Sequence, residues 1–205
     1  AVGGEALLTN VDGDNNTAIG YQALKTFEAD TDGHGWNTAI GSAAMRDTTT
    51  AANSVAIGYL ALGDGVMTGD SNIGIGSQAG KEITSGFSNI LIGTSAGDNL
   101  EAGGDNIAIG TGALSNEDGH GRNVAIGRSA LAVQDAGADA YNVAIGYNAG
   151  VAISTGVKNT LIGGTAGDAL TIGNYNTALG FDALSTSVDG DYNTAIGYLA
   201  LRLYE

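Results

Sequence analysis

Three pairs of aspartates beside glycine are the residues of this sequence best suited to holding a metal ion. They are Asp12 and Asp14, Asp30 and Asp32, and Asp189 and Asp191. Each pair could ligate Ca²⁺ through its carboxylates together with loop carbonyl oxygens. None continues into an EF-hand pattern, and Asp and Gly are also the residues that turns prefer. We therefore expect turns here and no bound metal or cofactor, with Ca²⁺ as the alternative.

Two histidines lie in matching contexts, DGHGW around His34 and DGHGR around His120, each three residues before a repeated asparagine. Five repeats separate them. If each repeat adds one strand, and strands stack about 4.8 Å apart, the two imidazoles lie about 24 Å from each other. That distance is too long for a shared metal or proton. We expect both histidines to occupy turns, because His, like Gly and Asp, tolerates left-handed backbone conformations.

Aromatic residues recur at two positions of the repeat, and exposed rings could stack on sugars. Tyr21, Tyr59, Tyr147, Phe181 and Tyr198 follow a repeated glycine, and Trp36, Tyr141, Tyr175 and Tyr192 precede a repeated asparagine. The alternative is that these rings close the open corners of the fold.

The longest insertions between repeats end in aromatic residues, Trp36 and Tyr141, and inserted loops are favoured places for binding. The candidate binding residues are therefore Asp30, Asp32, His34, Trp36, Asp139 and Tyr141. The sequence has no convincing acid and base pair, activated nucleophile or phosphate loop, because the recurring Gly-x-x-Ala lacks a strand-turn-helix context. We therefore expect a protein that is not an enzyme.

The element that must position these residues is a short repeat, first complete in NTAIG at 16–20. Its closing glycine recurs at Gly20, Gly41, Gly58, Gly76, Gly93, Gly110, Gly127, Gly146, Gly163, Gly180 and Gly197, after a truncated copy ending at Gly3. Eight of the eleven steps are 17 residues, and the others are 21, 18 and 19 residues. A fixed period of this kind predicts a solenoid of stacked coils, with the longer steps marking its loops.

The residues before each closing glycine predict one short strand per coil. Ile, or once Leu, comes immediately before the glycine, a β-branched residue stands two positions earlier, and Ala usually lies between them. Ten of the eleven copies begin with Asn, and Ser54 replaces it once. This alternation with a period of two is typical of a strand.

The segment after the glycine predicts a second short strand or extended edge. Ala stands three residues after every glycine, followed by Leu or Met in eight copies and by Gly in four. The four glycine copies have an apolar residue three positions later, namely Ile83, Leu100, Ile153 or Leu170. We expect that residue to fill the space of the missing Leu.

Two assignments of the strand faces remain open. If Asn, Ala and Gly line the interior, the apolar column lies outside and needs a partner, for which a threefold axis would serve. If that column points inward, no apolar column is exposed and the chain can remain a monomer. The column comprises Ile19, Ile40, Ile57, Ile75, Ile92, Ile109, Ile126, Ile145, Ile162, Leu179 and Ile196.

The net charge of −15 makes nucleic acid and anionic membrane poor partners. The acids lie mainly between the repeats, where they keep the outside soluble. No apolar run approaches the length of a membrane span, so we expect no membrane insertion in this segment. The absence of cysteine fits an extracellular surface and also a cytosol.

The repeats NSVAIG at 53–58, NVAIG at 123–127 and 142–146, and NTAIG at 16–20, 37–41 and 193–197 resemble the head repeats of YadA-like trimeric autotransporter adhesins. They are also similar to repeats of phage and bacterial tail fibres. The resemblance covers essentially the whole chain. It implies a left-handed parallel β-roll, packed as a homotrimer with the apolar column inside the trimer.

We therefore predict an all-β solenoid of about 12 coils, forming one domain over residues 1–205 and part of a longer fibre. The expected function is adhesion or recognition by an extracellular fibre of a cell surface or virion, with a glycan or protein receptor and a role in extension. The alternatives are a passive spacer and a monomeric ice-binding solenoid. The run from Val55 to Val143, which interrupts the threonines of the β-branched position, argues against ice binding.

Overall fold

The computed structural model describes residues 1–10, 13–28 and 35–202. The described chain contains eleven β-strands of three residues each and no helix. The strands are β1 Thr17–Ile19, β2 Thr38–Ile40, β3 Val55–Ile57, β4 Ile73–Ile75, β5 Ile90–Ile92, β6 Ile107–Ile109, β7 Val124–Ile126, β8 Val143–Ile145, β9 Thr160–Ile162, β10 Thr177–Leu179 and β11 Thr194–Ile196. Among the described residues there is consequently no helix long and apolar enough to cross a membrane.

All eleven strands belong to one parallel sheet, in which each strand pairs with the next one along the chain. The register is that of the repeat: Thr17 faces Thr38, and Ile109 faces Ile126. This arrangement confirms the predicted all-β solenoid. About ten turns join its eleven strands, and the truncated first copy contributes an isolated bridge between Val2 and Ile19 instead of a twelfth strand, so 12 coils are not shown.

The middle residue of each strand points into the solenoid and is almost completely buried. It is Ala in eight strands, Gly74 in β4, and Leu91 and Leu161 in β5 and β9. The alanine three residues after the closing glycine is fully buried in every coil from Ala23 to Ala183. The core is therefore narrow and built mainly from small side chains.

The closing glycine is required by the distance between successive coils. Gly110 has φ of +134°, and a Cβ at this position would lie 2.5 Å from the carbonyl oxygen of Gly127 in the next coil. A side chain here would meet the neighbouring backbone and strain its own. The contact recurs from coil to coil, so the glycine fixes how closely the coils stack.

A ladder of buried side chains holds the coils in register. From Asn16 to Asn176, each repeated Asn, or Ser54, accepts a hydrogen bond from the backbone N–H of its equivalent in the next coil, over distances of 2.8–3.1 Å. Several side-chain amides also donate to a carbonyl 14 residues later, as from Asn89 Nδ2 to Gly103 O at 2.8 Å. Polar groups that burial would otherwise leave unpaired are thereby satisfied.

The second strand expected after the closing glycine does not form, because this segment is a turn with left-handed residues. Gln22 has φ of 57° and Leu24 has φ of 51°. The backbone amides of these two left-handed residues point toward opposite neighbouring coils. The N–H of Gln22 donates to Gly4 O at 2.9 Å in one coil, whereas the N–H of Leu24 donates to Ala44 O at 2.9 Å in the other. Coils therefore remain hydrogen-bonded through a segment that is not a strand.

The predicted residues fill the space of the missing leucines only in part, as at Gly150, where an added Cβ would lie 3.0 Å from Ile153 Cδ1. Ile83, Leu100, Ile153 and Leu170 are buried, as expected of core residues. However, a Cβ at Gly80 would lie 2.6 Å from Leu91 Cδ1, and one at Gly97 would lie 2.7 Å from Leu91 Cδ2. Leu161 takes the same position beside Gly150 and Gly167. The large residue is therefore supplied mainly by a strand, where Leu replaces the usual Ala.

Replacing Asn89 in the middle of the ladder tests how far these hydrogen bonds stabilise the fold. Asn89→Ala leaves the N–H of Asn106 and the carbonyl of Gly103 unpaired, so we expect the free energy of unfolding to fall by roughly 2–4 kcal/mol. Asn89→Ser is the matched control, because Ser54 Oγ accepts from the N–H of Asn72 at 3.1 Å in the natural ladder. Urea unfolding should show a smaller loss for Ser, and equal losses would contradict a ladder role.

Candidate functional site

The most extensive surface feature is the outer face of the sheet, formed by the first and third side chains of every strand. The third residue is Ile or, in β10, Leu179. The exposed fraction is 43% for Ile19, 38% for Ile57 and 65% for Ile196, and the column is half-buried in the central coils. Of the two assignments of the faces, the structure shows the first, with Asn and Ala inside and the apolar column outside.

Two columns of exposed residues flank this face along the chain. Aromatic rings occupy nine of these positions, and each is about half exposed or more. They are Tyr21, Tyr59, Tyr147, Phe181 and Tyr198 after the glycine, and Trp36, Tyr141, Tyr175 and Tyr192 before the asparagine. The rings therefore extend the apolar surface and do not close the interior of the solenoid.

Several of these rings contact one another along the rod. Tyr175 and Tyr192 stack with their centroids 4.9 Å apart and their planes 3° apart, and Phe181 stacks on Tyr198 at 6.0 Å. The Lys158 ammonium lies 5.0 Å from the centroid of Tyr175. The same ammonium donates to Tyr175 Oη at 3.1 Å, so both the ring and the hydroxyl of Tyr175 already have neighbours within the chain. The 17-residue spacing of Tyr175 and Tyr192 was the sequence signal for this pair.

The predicted binding loops do not come together. Trp36 is 53% exposed, and six coils separate it from Tyr141, which corresponds to about 29 Å along the rod. Asp30, Asp32 and His34 lie outside the described residues. Asp139 and Tyr141 do form one group, because Arg122 forms an ion pair with Asp139 and donates from Nη1 to Tyr141 Oη at 3.0 Å. Sequence reasoning missed Arg122, which lies 19 residues before Tyr141.

Of the aspartates that could bind Ca²⁺, Asp191 has another role in the structure. Asp191 Oδ1 accepts from the backbone N–H of Asn174 at 2.6 Å and from its side-chain amide at 3.2 Å. Asp14 forms an isolated bridge with Gly35. Asp12, like Asp30 and Asp32, lies outside the described residues. At Asp191 the carboxylate therefore stabilises a turn on the neighbouring coil.

Sequence motifs did not reveal one buried carboxylate. Glu117 is fully buried at a position occupied by Ile83, Leu100 and Ile153 in other coils. Its Oε1 accepts from the backbone N–H of His120 at 3.2 Å and lies 3.6 Å from His120 Nδ1. Burial, aided by the charges of Asp135 and Asp118, raises the pKa of Glu117 to about 7. The signal in the sequence was a glutamate at an apolar position of the repeat.

The raised pKa predicts that stability falls as the pH rises. Glu117 titrates at an ordinary value of 4.5 when unfolded and at about 7 when folded. Between these values the folded chain retains a proton that the unfolded chain has lost, so the free energy of unfolding decreases by roughly 1–3 kcal/mol. Glu117→Leu places at 117 the residue type of Leu100, and its free energy of unfolding should not show this decrease with pH. Urea unfolding at pH 4.5 to 8 in EDTA measures the free energy of unfolding of both proteins. If it changed with pH equally in the wild type and in Glu117→Leu, the raised pKa of Glu117 would be contradicted.

The described geometry comprises an apolar sheet face, flanking aromatic columns, the group around Arg122 and a buried glutamate. Comparisons with models of known protein families, with curated protein sequences and with solved structures give no match to this chain. The support for a function therefore comes from the geometry of the chain and from the pattern of its repeats.

Proposed function

We propose that this chain is a segment of a trimeric extracellular fibre, carried by a cell or a virion, that extends from the surface and mediates adhesion or recognition. The observation that carries the proposal is the continuous apolar column on the outside of the sheet. Three copies would bury this face around a common axis, in the arrangement found in the adhesin heads that the repeats resemble. A left-handed roll belongs to the same proposal.

The size of the face supports burial against other copies. Three residues along each strand and eleven strands give an area about 10 Å wide and about 50 Å long, or roughly 500 Å². Patches of this size on monomers are usually functional. The adjoining aromatic rings, including Tyr59 and Tyr147, enlarge it further. Identical faces related by a threefold rotation make heterologous contacts that close into a ring, as expected of a cyclic homotrimer.

The charge distribution is compatible with such packing. The net charge is −15, but no strand residue is charged. Acids and bases lie in the turns, where ion pairs link neighbouring coils, as between Arg46 and Asp64 at 2.6 Å. Copies could therefore meet through the sheet face while their charged turns remain in water, where salt screens the repulsion.

The trimer is tested by disrupting the middle of the apolar column. Light scattering should give about 61 kDa, three times the 20.3 kDa of one chain. Ile109→Asp places a charge in the proposed interface and should yield monomers. Asn99→Asp is the matched control, because Asn99 is exposed in a turn and its substitution should leave the mass unchanged.

Two results would contradict this assembly. Retention of the trimer by Ile109→Asp would place the interface elsewhere. A monomeric wild-type protein would contradict the proposed trimer and favour the ice-binding alternative. Thermal hysteresis of the wild-type protein measures ice binding directly. In that case the residues to substitute are three threonines in register on adjacent strands, Thr160, Thr177 and Thr194.

Adhesion predicts that binding depends on the presence of three copies. Weak contacts repeated on a trimer gain about 10²-fold or more in apparent affinity without a deep pocket. Wild-type protein and Ile109→Asp should therefore differ on glycan arrays and on whole cells, with Asn99→Asp behaving as wild type. Uniform absence of binding by the wild-type trimer would contradict adhesion and favour a passive spacer.

A further inference from the structure

We propose that Glu117, Asp118, His120 and Asp135 bind a divalent transition-metal ion, with Zn²⁺ as the ion that best fits the donors. Each residue offers one ligand atom, and these four atoms all lie within 4.8 Å of one another. Three carboxylates and an imidazole form the set. The first three residues lie on one turn, and Asp135 comes from the next coil.

Two buried, unpaired atoms within the group point to a ligand. Glu117 is fully buried, and its Oε2 makes no hydrogen bond. His120 Nδ1 is also buried without a hydrogen-bond partner, 3.6 Å from Glu117 Oε1. Buried polar atoms are nearly always paired, and an unpaired carboxylate oxygen is especially costly. A metal ion would satisfy both atoms at once.

The charges of the group call for a cation. Asp118 and Asp135 occupy the same position of successive coils, eight residues after the closing glycine of each coil. Glu101 occupies that position one coil earlier. Other coils have a hydroxyl there: Thr84 Oγ1 donates to Glu101 O at 2.9 Å, and Thr171 Oγ1 donates to Val188 O at 2.9 Å. Carboxylates stacked about 4.8 Å apart repel each other unless a cation lies between them.

The donor set distinguishes between classes of metal. Ca²⁺ and Mg²⁺ prefer ligand sets made only of oxygen, whereas imidazole together with carboxylates suits Zn²⁺ and its neighbours. Zinc ligands lie about 2.0–2.2 Å from the ion, which places them about 3–4 Å from one another. Asp118 and Asp135 are exposed and can close the remaining distance by rotating their side chains.

The insertion in the following coil provides the space for the site. His120 occupies a position that is glycine in several coils, and at Gly86 an added Cβ would lie 2.7 Å from the carbonyl oxygen of Gly103 in the next coil. The coil after His120 has two extra residues, since 19 residues separate Gly127 from Gly146. Asn123 Nδ2, whose equivalents donate to that next coil, has no hydrogen-bond partner. The widened coil therefore admits a side chain where others cannot.

Calorimetric titration of the EDTA-treated protein with ZnCl₂ tests the proposal. We expect one ion per chain and a rise in the thermal midpoint with Zn²⁺ that Ca²⁺ and Mg²⁺ do not produce. His120→Gly and Glu117→Leu copy the residues of neighbouring coils and should fold, while losing more than about tenfold in zinc affinity. Glu101→Thr removes an acid from the same column outside the group and should bind like wild type.

Four outcomes would overturn the site. Wild-type protein could bind no zinc, which would show that the four residues form no metal site. Both variants could retain the wild-type affinity, which would place the zinc elsewhere on the acidic surface. Ca²⁺ could match Zn²⁺ in affinity, or Glu101→Thr could lose as much as His120→Gly, and either result would indicate general attraction by the negative charge.

Discussion

The structure depends on the stacking of identical residues at the same height in successive coils. The buried ladder illustrates this constraint, because the N–H of Asn106 is satisfied only by the side chain of Asn89 in the coil before it. The closing glycine imposes a second requirement, since its neighbour at the same height lies too close for a Cβ. Together they fix register and spacing. The strands on either side of the steps of 18, 19 and 21 residues therefore keep their pairing and register.

Small residues inside and large residues outside follow from the same constraint. A coil that closes within about 17 residues has little interior volume, and Ala side chains fill it without leaving voids. When Leu91 or Leu161 enters a strand, glycine stands beside it in the same coil and in the one before. The interior thus keeps a nearly constant volume while its residues exchange positions between coils. The apolar side chains that have no place inside lie on the outer face, and that excess of apolar surface favours association.

Periodicity was sufficient to predict the strands, their register and that Asn and Ala share one face, whereas the inward orientation of that face is seen only in the structure. It could not predict the left-handed turn, because Leu and Met seldom adopt positive φ and Leu24 does so only within the packed stack. It also missed interactions between coils, such as Leu91 filling the space beside Gly80 and Tyr175 stacking on Tyr192. Such pairs are 11 or 17 residues apart, and only knowledge of the coil geometry identifies them as neighbours. The position of His120 in a turn was expected, but the left-handed residue of that turn is Arg122.

A regular ladder leaves little room for specific chemistry, because each polar group is used by its equivalent in the next coil. Unique sites should therefore arise where an insertion breaks the equivalence. The two extra residues between Gly127 and Gly146 have this effect: Asn123 loses the partner of its side-chain amide, Arg122 gains Asp139 and Tyr141, and a side chain at His120 finds space. Glu117 lies beside the same opening, at a position that is apolar elsewhere. The coincidence of an insertion with unpaired buried polar atoms separates this coil from its neighbours, whose insertion-free ladders are satisfied by repetition alone.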